Sequence, residues 1–176
     1  PGPRMHELEP AAARAQLLAT KDVADLPTGT LAVVRDCTIP APHGDLRARL
    51  FDARPSREPG PVVLFLHGGG FISGTAREVL NDAILSERAA EAGIQIISLD
   101  YRLAPENPYP AAVLDAVAAL AEIADPAAGW EADPEHLGVG GGSAGGHIAA
   151  VVALRVRDAV RAGSAAPQLA HALLEV

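Results

Sequence analysis

The chain has 176 residues, of which 49% are hydrophobic and 20% are charged, a composition typical of a folded globular domain. Its net charge is −8 at pH 7, which argues against a nucleic-acid partner because such a partner requires a basic face. The apolar runs are far shorter than the ~20 residues that span a bilayer, and no basic and apolar leader follows Met5. We therefore expect no membrane insertion and a cytoplasmic location.

The first predicted elements are a short helix and a β-hairpin. Residues 6–19 are rich in Ala and Leu and lack Gly, which predicts a helix, and Pro10 fits near its start. Residues 31–39 are rich in β-branched side chains and lead into a turn-like segment at 42–45. Residues 46–51 then alternate between apolar and polar or aromatic side chains, and this period of two predicts a second, half-buried strand.

From residue 62 onward, strand-like and helix-like segments alternate. The predicted strands are 62–66, 94–99, 137–142 and 169–176, and the predicted helices are 77–92, 110–124 and 144–161. An antiparallel pair followed by this alternation predicts an α/β fold with a mostly parallel sheet and helices on both faces. Ligands bind such sheets at the carboxyl ends of the strands, so the segments that follow 62–66, 94–99 and 137–142 are the places to look for chemistry.

Ser143 is the candidate nucleophile. It lies at the centre of the pentapeptide Gly-Gly-Ser-Ala-Gly between a predicted strand and a predicted helix. A sharp turn at such a place exposes the serine oxygen above the sheet, and small residues on either side let strand and helix approach closely. The dipole of the following helix adds positive potential at its N-terminus.

The sequence His-Gly-Gly-Gly-Phe directly follows the strand 62–66. Consecutive glycines allow backbone N–H groups to converge on one point, as in an oxyanion hole, where one donor is commonly worth about 2.7–4 kcal/mol of transition-state stabilisation. We predict that Gly69 and Gly70 supply two donors and that Ala144 supplies a third. His67 is predicted to be structural and not a base.

A third polar segment, residues 100–106, follows the strand 94–99. Asp100 and Arg102 are predicted to pair with each other and to fix this loop beside the glycine loop. The lone cysteine, Cys37, is predicted to be a small buried apolar residue.

These motifs, HGGGF at 67–71, DYRLAPENPYPAA at 100–112 and GGSAGGHIAA at 141–150, resemble those of the hormone-sensitive-lipase-like group of α/β-hydrolases, which includes many bacterial carboxylesterases. The resemblance implies hydrolysis of short-acyl esters through an acyl-enzyme on Ser143, with no metal and no cofactor. It assigns residues 1–30 to a cap-like helical segment and residues 31–176 to the N-terminal part of the catalytic domain. One departure is Gly142, where the family often carries a side chain.

The acid and the histidine of the family's catalytic triad follow the serine in the chain. The later candidates here are Asp158, Glu175, His147 and His171, and none of them fits. His147 lies one turn along the predicted helix that Ser143 opens, and His171 begins the next strand. We therefore expect the chain to stop before the C-terminal strands, and we expect its partners to be a small ester and the C-terminal half of the same protein. A homodimer is left open.

Two other functions are compatible with parts of the sequence. Gly140, Gly142 and Gly145 match a dinucleotide-binding fingerprint, but the acidic residue expected about 20 positions later at a strand end is absent, since Asp158 is in a predicted helix. That function also leaves HGGGF unexplained. The other alternative is a non-catalytic binding module that retains the α/β-hydrolase fold.

Overall fold

The computed structural model describes residues 3–19, 31, 33–77 and 81–175, and its strands and helices follow the predicted order. The strands are β1 (Val33–Ile39), β2 (Leu46–Asp52), β3 (Gly60–Leu66), β4 (Gln95–Leu99), β5 (Ala132–Gly142) and β6 (His171–Glu175). The α-helices of these ranges are α1 (Pro10–Ala19), α2 (Asn81–Ala92), α3 (Ala111–Ala124) and α4 (Ala144–Arg161). None of them is long and apolar enough to cross a bilayer.

The six strands form one mixed sheet in the order β1-β2-β4-β3-β5-β6. The hairpin β1–β2 is antiparallel, and β2 also pairs antiparallel with β4. Strands β4, β3, β5 and β6 are parallel to one another. The predicted hairpin and the mostly parallel sheet are both confirmed. The loops after β3, β4 and β5 consequently emerge at one edge of the sheet.

Apolar side chains cover both faces of the sheet. On β2, Leu50 belongs to the larger apolar cluster with α3 and α4, whereas the next residue, Phe51, belongs to a smaller cluster with Leu85 and Ala89 of α2. Because successive strand residues point to opposite faces, α3 and α4 cover one face and α2 covers the other. This two-sided burial explains why the central strands are continuously apolar.

Several boundaries differ from the predictions. The helix predicted at 77–92 begins at Asn81, with Arg77 in a turn and residues 78–80 outside the described ranges. Strand β5 begins at Ala132, five residues earlier than predicted, because Ala132 pairs with Gly60 before a register shift.

The predicted N-terminal helix is divided. A 3-10 turn at Met5–Glu7 precedes α1, which begins at Pro10 because proline lacks the N–H that a helix interior requires. Residues 20–30 of the predicted cap-like segment lie outside the described ranges.

Candidate active site

Ser143 lies at the turn between β5 and α4. Its backbone has φ 50° and ψ −117°, a positive-φ conformation that is uncommon for a residue with a side chain, and Ser143 is exposed. The Ser143 N–H donates to the carbonyl oxygen of Glu175 on β6 at 2.8 Å. The conformation is therefore held by the neighbouring strand, and it leaves Ser143 exposed.

Two glycines allow this turn to close. A Cβ atom on Gly145 would lie 1.9 Å from the carbonyl oxygen of Leu66, and one on Gly141 would lie 2.5 Å from the same oxygen. Both distances are impossible for real atoms, so α4 can approach β3 and β5 this closely only because both positions are glycine. The motif therefore requires glycine two residues before and two residues after Ser143, because any side chain there would collide with the Leu66 carbonyl group.

The glycine loop lies against the serine turn. A Cβ atom on Gly68 would be 3.7 Å from the Cβ of Ser143 and 3.4 Å from the carbonyl oxygen of Gly142. Gly69 and Gly70 follow with φ values of 119° and 61°. In the described part of the chain, neither of their amides donates a hydrogen bond to another residue. The structure thus brings the loop that carries Gly69 and Gly70 next to the turn at Ser143, and both amides remain available as donors.

The carbonyl groups of this loop are fixed individually. The Gly69 carbonyl accepts from the backbone N–H of Ser73 at 3.0 Å and from the Ser73 hydroxyl at 2.8 Å. The Gly68 carbonyl lies 2.7 Å from Nδ1 of His67. Each trans peptide holds a carbonyl antiparallel to the next N–H, so these bonds also fix the directions of the Gly69 and Gly70 N–H groups.

His67 is a buried support for the loop. Its ring is 1% exposed and stacks on Tyr101 with 4.2 Å between ring centroids, and the Tyr101 hydroxyl donates to the His67 carbonyl at 2.7 Å. Burial lowers the pKa of His67, and its bond to Gly68 and the charge of Asp100 only partly oppose this effect. The ring is therefore neutral near pH 7 and enclosed in the core, as a structural role requires.

The predicted pairing of Asp100 with Arg102 is wrong. Asp100 instead accepts from the backbone N–H of Ala76 and lies 3.6 Å from the guanidinium of Arg47. Arg102 turns the other way and binds the buried carboxylate of Asp115 on α3 through Nη2 at 2.7 Å and through its backbone N–H at 2.9 Å. Asp100 thus fixes Ala76, six residues beyond Gly70, and it does so without Arg102.

The histidines after Ser143 are directed elsewhere. His147 meets the ring of Phe71 edge-on, 5.8 Å between centroids, and His171 begins β6. The later acids are also engaged, since Asp158 pairs with Arg157 and Glu175 pairs with Arg88. The described residues therefore place the candidate nucleophile beside the glycine loop, without a histidine–carboxylate pair next to the serine. They also contain no cluster of three or more potential metal ligands.

A small apolar cavity of about 200 Å³ opens one turn along α4 from Ser143. Phe71 and His147, whose rings meet edge-on, form part of its wall, and the remaining wall is mostly aliphatic and aromatic. Its members include Tyr109, Val113, Ile148 and Val151.

Sequence reasoning missed Arg14. This residue of α1 donates to the carbonyl oxygens of Ile72 at 2.6 Å and Ala104 at 2.8 Å, and it forms a bidentate pair with Glu106. The available signal was weak: Arg14 is a single cation in an otherwise Ala- and Leu-rich helix. Nothing in the local pattern identified its distant partners.

Residues 63–175 match the profile of a protein family described as the α/β-hydrolase fold. The esterase LipI of Mycobacterium tuberculosis is 42% identical over 127 residues, which are 71% of this chain and 39% of that protein. The carboxylic ester hydrolase LipN of the same organism is 43% identical over 130 residues, 73% of this chain and 34% of LipN. An acetyl esterase of Salmonella schwarzengrund is 35% identical over 135 residues, 77% of this chain and 40% of that enzyme.

Solved structures agree with this similarity. An ester hydrolase from the metagenome of Lake Arreo, complexed with a bipyridine phosphonate derivative, superposes with a TM-score of 0.86 at 33% identity. That alignment covers 99% of this chain and 53% of the other. A Pyrobaculum calidifontis esterase gives a TM-score of 0.82 at 33% identity, covering 99% and 54%. The chain thus spans 34–40% of the curated relatives compared above and about half of these solved chains.

Proposed function

This chain belongs to the α/β-hydrolase fold family, within its hormone-sensitive-lipase-like group, and on that premise we propose that the protein containing it is a serine carboxylesterase for short-acyl esters. One observation carries the proposal. The exposed Ser143, with its positive φ, stands at a strand–helix turn, and the glycine loop passes so close that a Cβ on Gly68 would lie 3.7 Å from the Ser143 Cβ. A binding module has no need to maintain that conformation beside available backbone donors.

In the proposed reaction, Ser143 Oγ attacks the carbonyl carbon of the ester and its proton passes to a histidine base. The carbonyl oxygen becomes an oxyanion. Collapse of this tetrahedral species breaks the bond to the alkoxy oxygen, which leaves as the alcohol after it takes the proton from the histidine. Water then attacks the acyl-enzyme by the same steps and releases the carboxylic acid, so that Ser143 is regenerated.

The amides of Gly69, Gly70 and Ala144 are the proposed oxyanion donors. The fixed carbonyls of Gly68 and Gly69 support this role, because they orient the first two N–H groups before substrate arrives. Donors that are oriented in advance stabilise the developing charge without reorganisation during the reaction. Ala144 begins α4, so its N–H also carries the positive end of the helix dipole.

The histidine base and its carboxylate partner are proposed to lie outside residues 1–176, in the C-terminal half of the natural protein. Two observations support this assignment. The histidines that follow Ser143 in the described residues are directed elsewhere, and the relatives are more than twice as long as the segments they share with this chain. The C-terminal half would also cover β6, where Leu173 and Leu174 are 48% and 50% exposed.

The cavity beside Phe71 and His147 supports a short apolar substituent on the ester. Its volume of about 200 Å³ is below the range of about 300–1,000 Å³ that is usual for pockets holding drug-sized ligands. A few carbon atoms fill such a space, whereas a long acyl chain must leave it. A chain-length series of p-nitrophenyl esters should therefore show the highest activity on short acyl groups. The same series measured with a chelator should show no loss of activity, because the proposed reaction uses no metal.

The decisive experiment labels the full natural protein with a p-nitrophenyl phosphonate and locates the adduct by peptide mapping. We expect one adduct on Ser143, none in Ser143→Ala, and an unchanged adduct in Ser164→Ala, which alters an exposed serine beyond α4. A label that survives Ser143→Ala would refute the assignment. A folded protein that neither takes the label nor hydrolyses esters would favour the non-catalytic binding module.

A further inference from the structure

Arg14 connects the N-terminal helix to the loops that follow β3 and β4. Its Nε donates to the carbonyl oxygen of Ile72 at 2.6 Å, in the glycine loop that follows β3. Its Nη2 donates to the carbonyl oxygen of Ala104 at 2.8 Å, in the loop that follows β4. Nη1 and Nη2 bind the two carboxylate oxygens of Glu106 at 2.9 and 2.8 Å. One guanidinium thus holds both loops at once.

The bond to Ile72 reaches the candidate oxyanion donor through two rigid peptide planes. The Ile72 carbonyl and the Ser73 N–H belong to one trans peptide, and that N–H donates to the Gly69 carbonyl at 3.0 Å. The Gly69 carbonyl in turn shares a peptide plane with the N–H of Gly70. A displacement of the Ile72 carbonyl is therefore transmitted to the direction of the Gly70 N–H.

We propose that Arg14 is a positioning residue for the Gly70 oxyanion donor, so that the docking of the N-terminal helix sets the rate of the chemical step. The inference rests on the proposed esterase function. It adds a role for a helix that contributes no predicted catalytic residue.

An arginine is required because its planar group presents several donors in a fixed fork. Four hydrogen bonds to three residues use that fork here. Lysine keeps the charge but offers one nitrogen on a flexible stem, which cannot reach Ile72, Ala104 and Glu106 together. The Arg14 hydrogen bonds also lower the pKa of Glu106 to about 2, so the carboxylate stays ionised through the pH range of an esterase assay.

The test compares Arg14→Lys with the wild type in the full natural protein, using a short-acyl p-nitrophenyl ester. We expect kcat to fall about tenfold with KM unchanged within about twofold, because the oxyanion exists only in the transition state and small displacements of such groups are costly. The kcat of Glu106→Gln should fall by less than that of Arg14→Lys, since the bonds from Arg14 to Ile72 and Ala104 persist. Two control variants should behave as wild type: Gln16→Ala on the exposed side of α1, and Arg157→Lys on α4.

Thermal unfolding of each variant separates positioning from loss of fold. A folded Arg14→Lys protein with the kcat of the wild type would overturn the inference alone. A rise in KM at constant kcat, or a loss of kcat that only follows the unfolded fraction, would also overturn it. A folded wild-type protein without esterase activity would instead overturn the proposed function, and the inference with it.

Discussion

The Nδ1 atom of His67 lies 2.7 Å from the carbonyl oxygen of Gly68, the next residue in the chain. A carbonyl only accepts, so Nδ1 must carry the hydrogen, and in the neutral ring Nε2 is then bare. The Nε2 atom is buried and has no hydrogen-bond partner among the described residues. Because burial also lowers the pKa of His67, the side chain acts as a neutral donor that fixes one peptide of the glycine loop.

Replacing His67 with Phe should keep the stacking on Tyr101 but remove the donor to Gly68. We expect kcat to fall by about tenfold or more with little change in KM, because the Gly69 N–H loses its fixed direction. Steady-state kinetics on the full protein measures this effect. His136→Gln, which alters an exposed histidine paired with Asp133, is the control. Unchanged kcat in a folded His67→Phe protein would contradict the support role.

The tautomer can be checked directly. Nitrogen–proton NMR of the imidazole groups should show His67 as the neutral Nδ1–H form, with no titration near the ordinary histidine pKa of about 6.5. The stability that this neutral ring contributes is fully present above about pH 6.5, and it is lost as the pH falls from there toward the lowered pKa of the folded ring. The loss occurs because, in this range, His67 of the unfolded chain binds a proton and His67 of the folded chain does not. A ring that titrates at the ordinary value would show that His67 is hydrated.

The two sides of the serine turn should respond very differently to one added methyl group. Gly145→Ala places a Cβ 1.9 Å from the Leu66 carbonyl oxygen, so backbone must move and we expect destabilisation of about 3 kcal/mol or more. Gly142→Ala is the matched control, because its nearest neighbour would be the Glu175 carboxylate at 3.9 Å. Its free energy of unfolding should change by less than about 1 kcal/mol. Urea unfolding tests both, and equal effects would mean that the close approach of α4 to β3 is not required.

The ion pair between Arg102 and Asp115 should be asymmetric under substitution. The Asp115 carboxylate is 1% exposed, whereas the Arg102 side chain is 32% exposed. Arg102→Ala leaves a buried carboxylate without its countercharge and should cost about 3–5 kcal/mol, whereas Asp115→Ala leaves an arginine that water can reach and should cost less. Denaturant unfolding of both variants shows which of them loses more unfolding free energy. A larger loss for Asp115→Ala would contradict this distribution of burial.

This pair also shows where sequence reasoning succeeds and fails. The bounds of α4 were predicted correctly because the serine motif fixes its first residue and helical spacing continues to Arg161. The partner of Arg102 was missed because local reasoning chose the nearby Asp100, whereas the actual partner, Asp115, lies 13 residues further along the chain on another element. Asp115 carried a usable signal, since a single acid on the buried face of an apolar helix needs a cation from elsewhere.

Other errors have a tertiary origin. The early start of β5 depends on pairing between Ala132 and Gly60, and no pattern within residues 132–136 indicates it. The role of Arg14 likewise depends on carbonyl groups 58 and 90 residues away. Motifs that encode their own backbone geometry, such as the serine turn, are predictable from local sequence. Long-range contacts to backbone oxygens are not, because every residue offers the same acceptor.

The final prediction concerns the acid sensitivity of the contact between Arg14 and Glu106. Hydrogen bonds from Arg14 lower the pKa of Glu106 from 4.5 to about 2. Between these values the unfolded chain binds a proton that the folded chain does not, so the stabilisation is complete above about pH 4.5 and is lost as the pH falls through about 2. Solvent screens this exposed pair, so the expected effect is a change of slope with pH and not a large loss.

Because the chain contains 22 acidic residues, the acid limb of the stability curve alone does not isolate this pair. The difference in unfolding free energy between wild type and Glu106→Gln does, since the other carboxylates cancel. That difference should be constant above about pH 5 and should shrink steadily at lower pH, because a protonated Glu106 and the glutamine that replaces it are both neutral. Glu91→Gln, an exposed position on α2, controls for the removal of one surface carboxylate. A difference that is independent of pH down to about pH 3 would show that Arg14 does not bind an ionised Glu106 in solution.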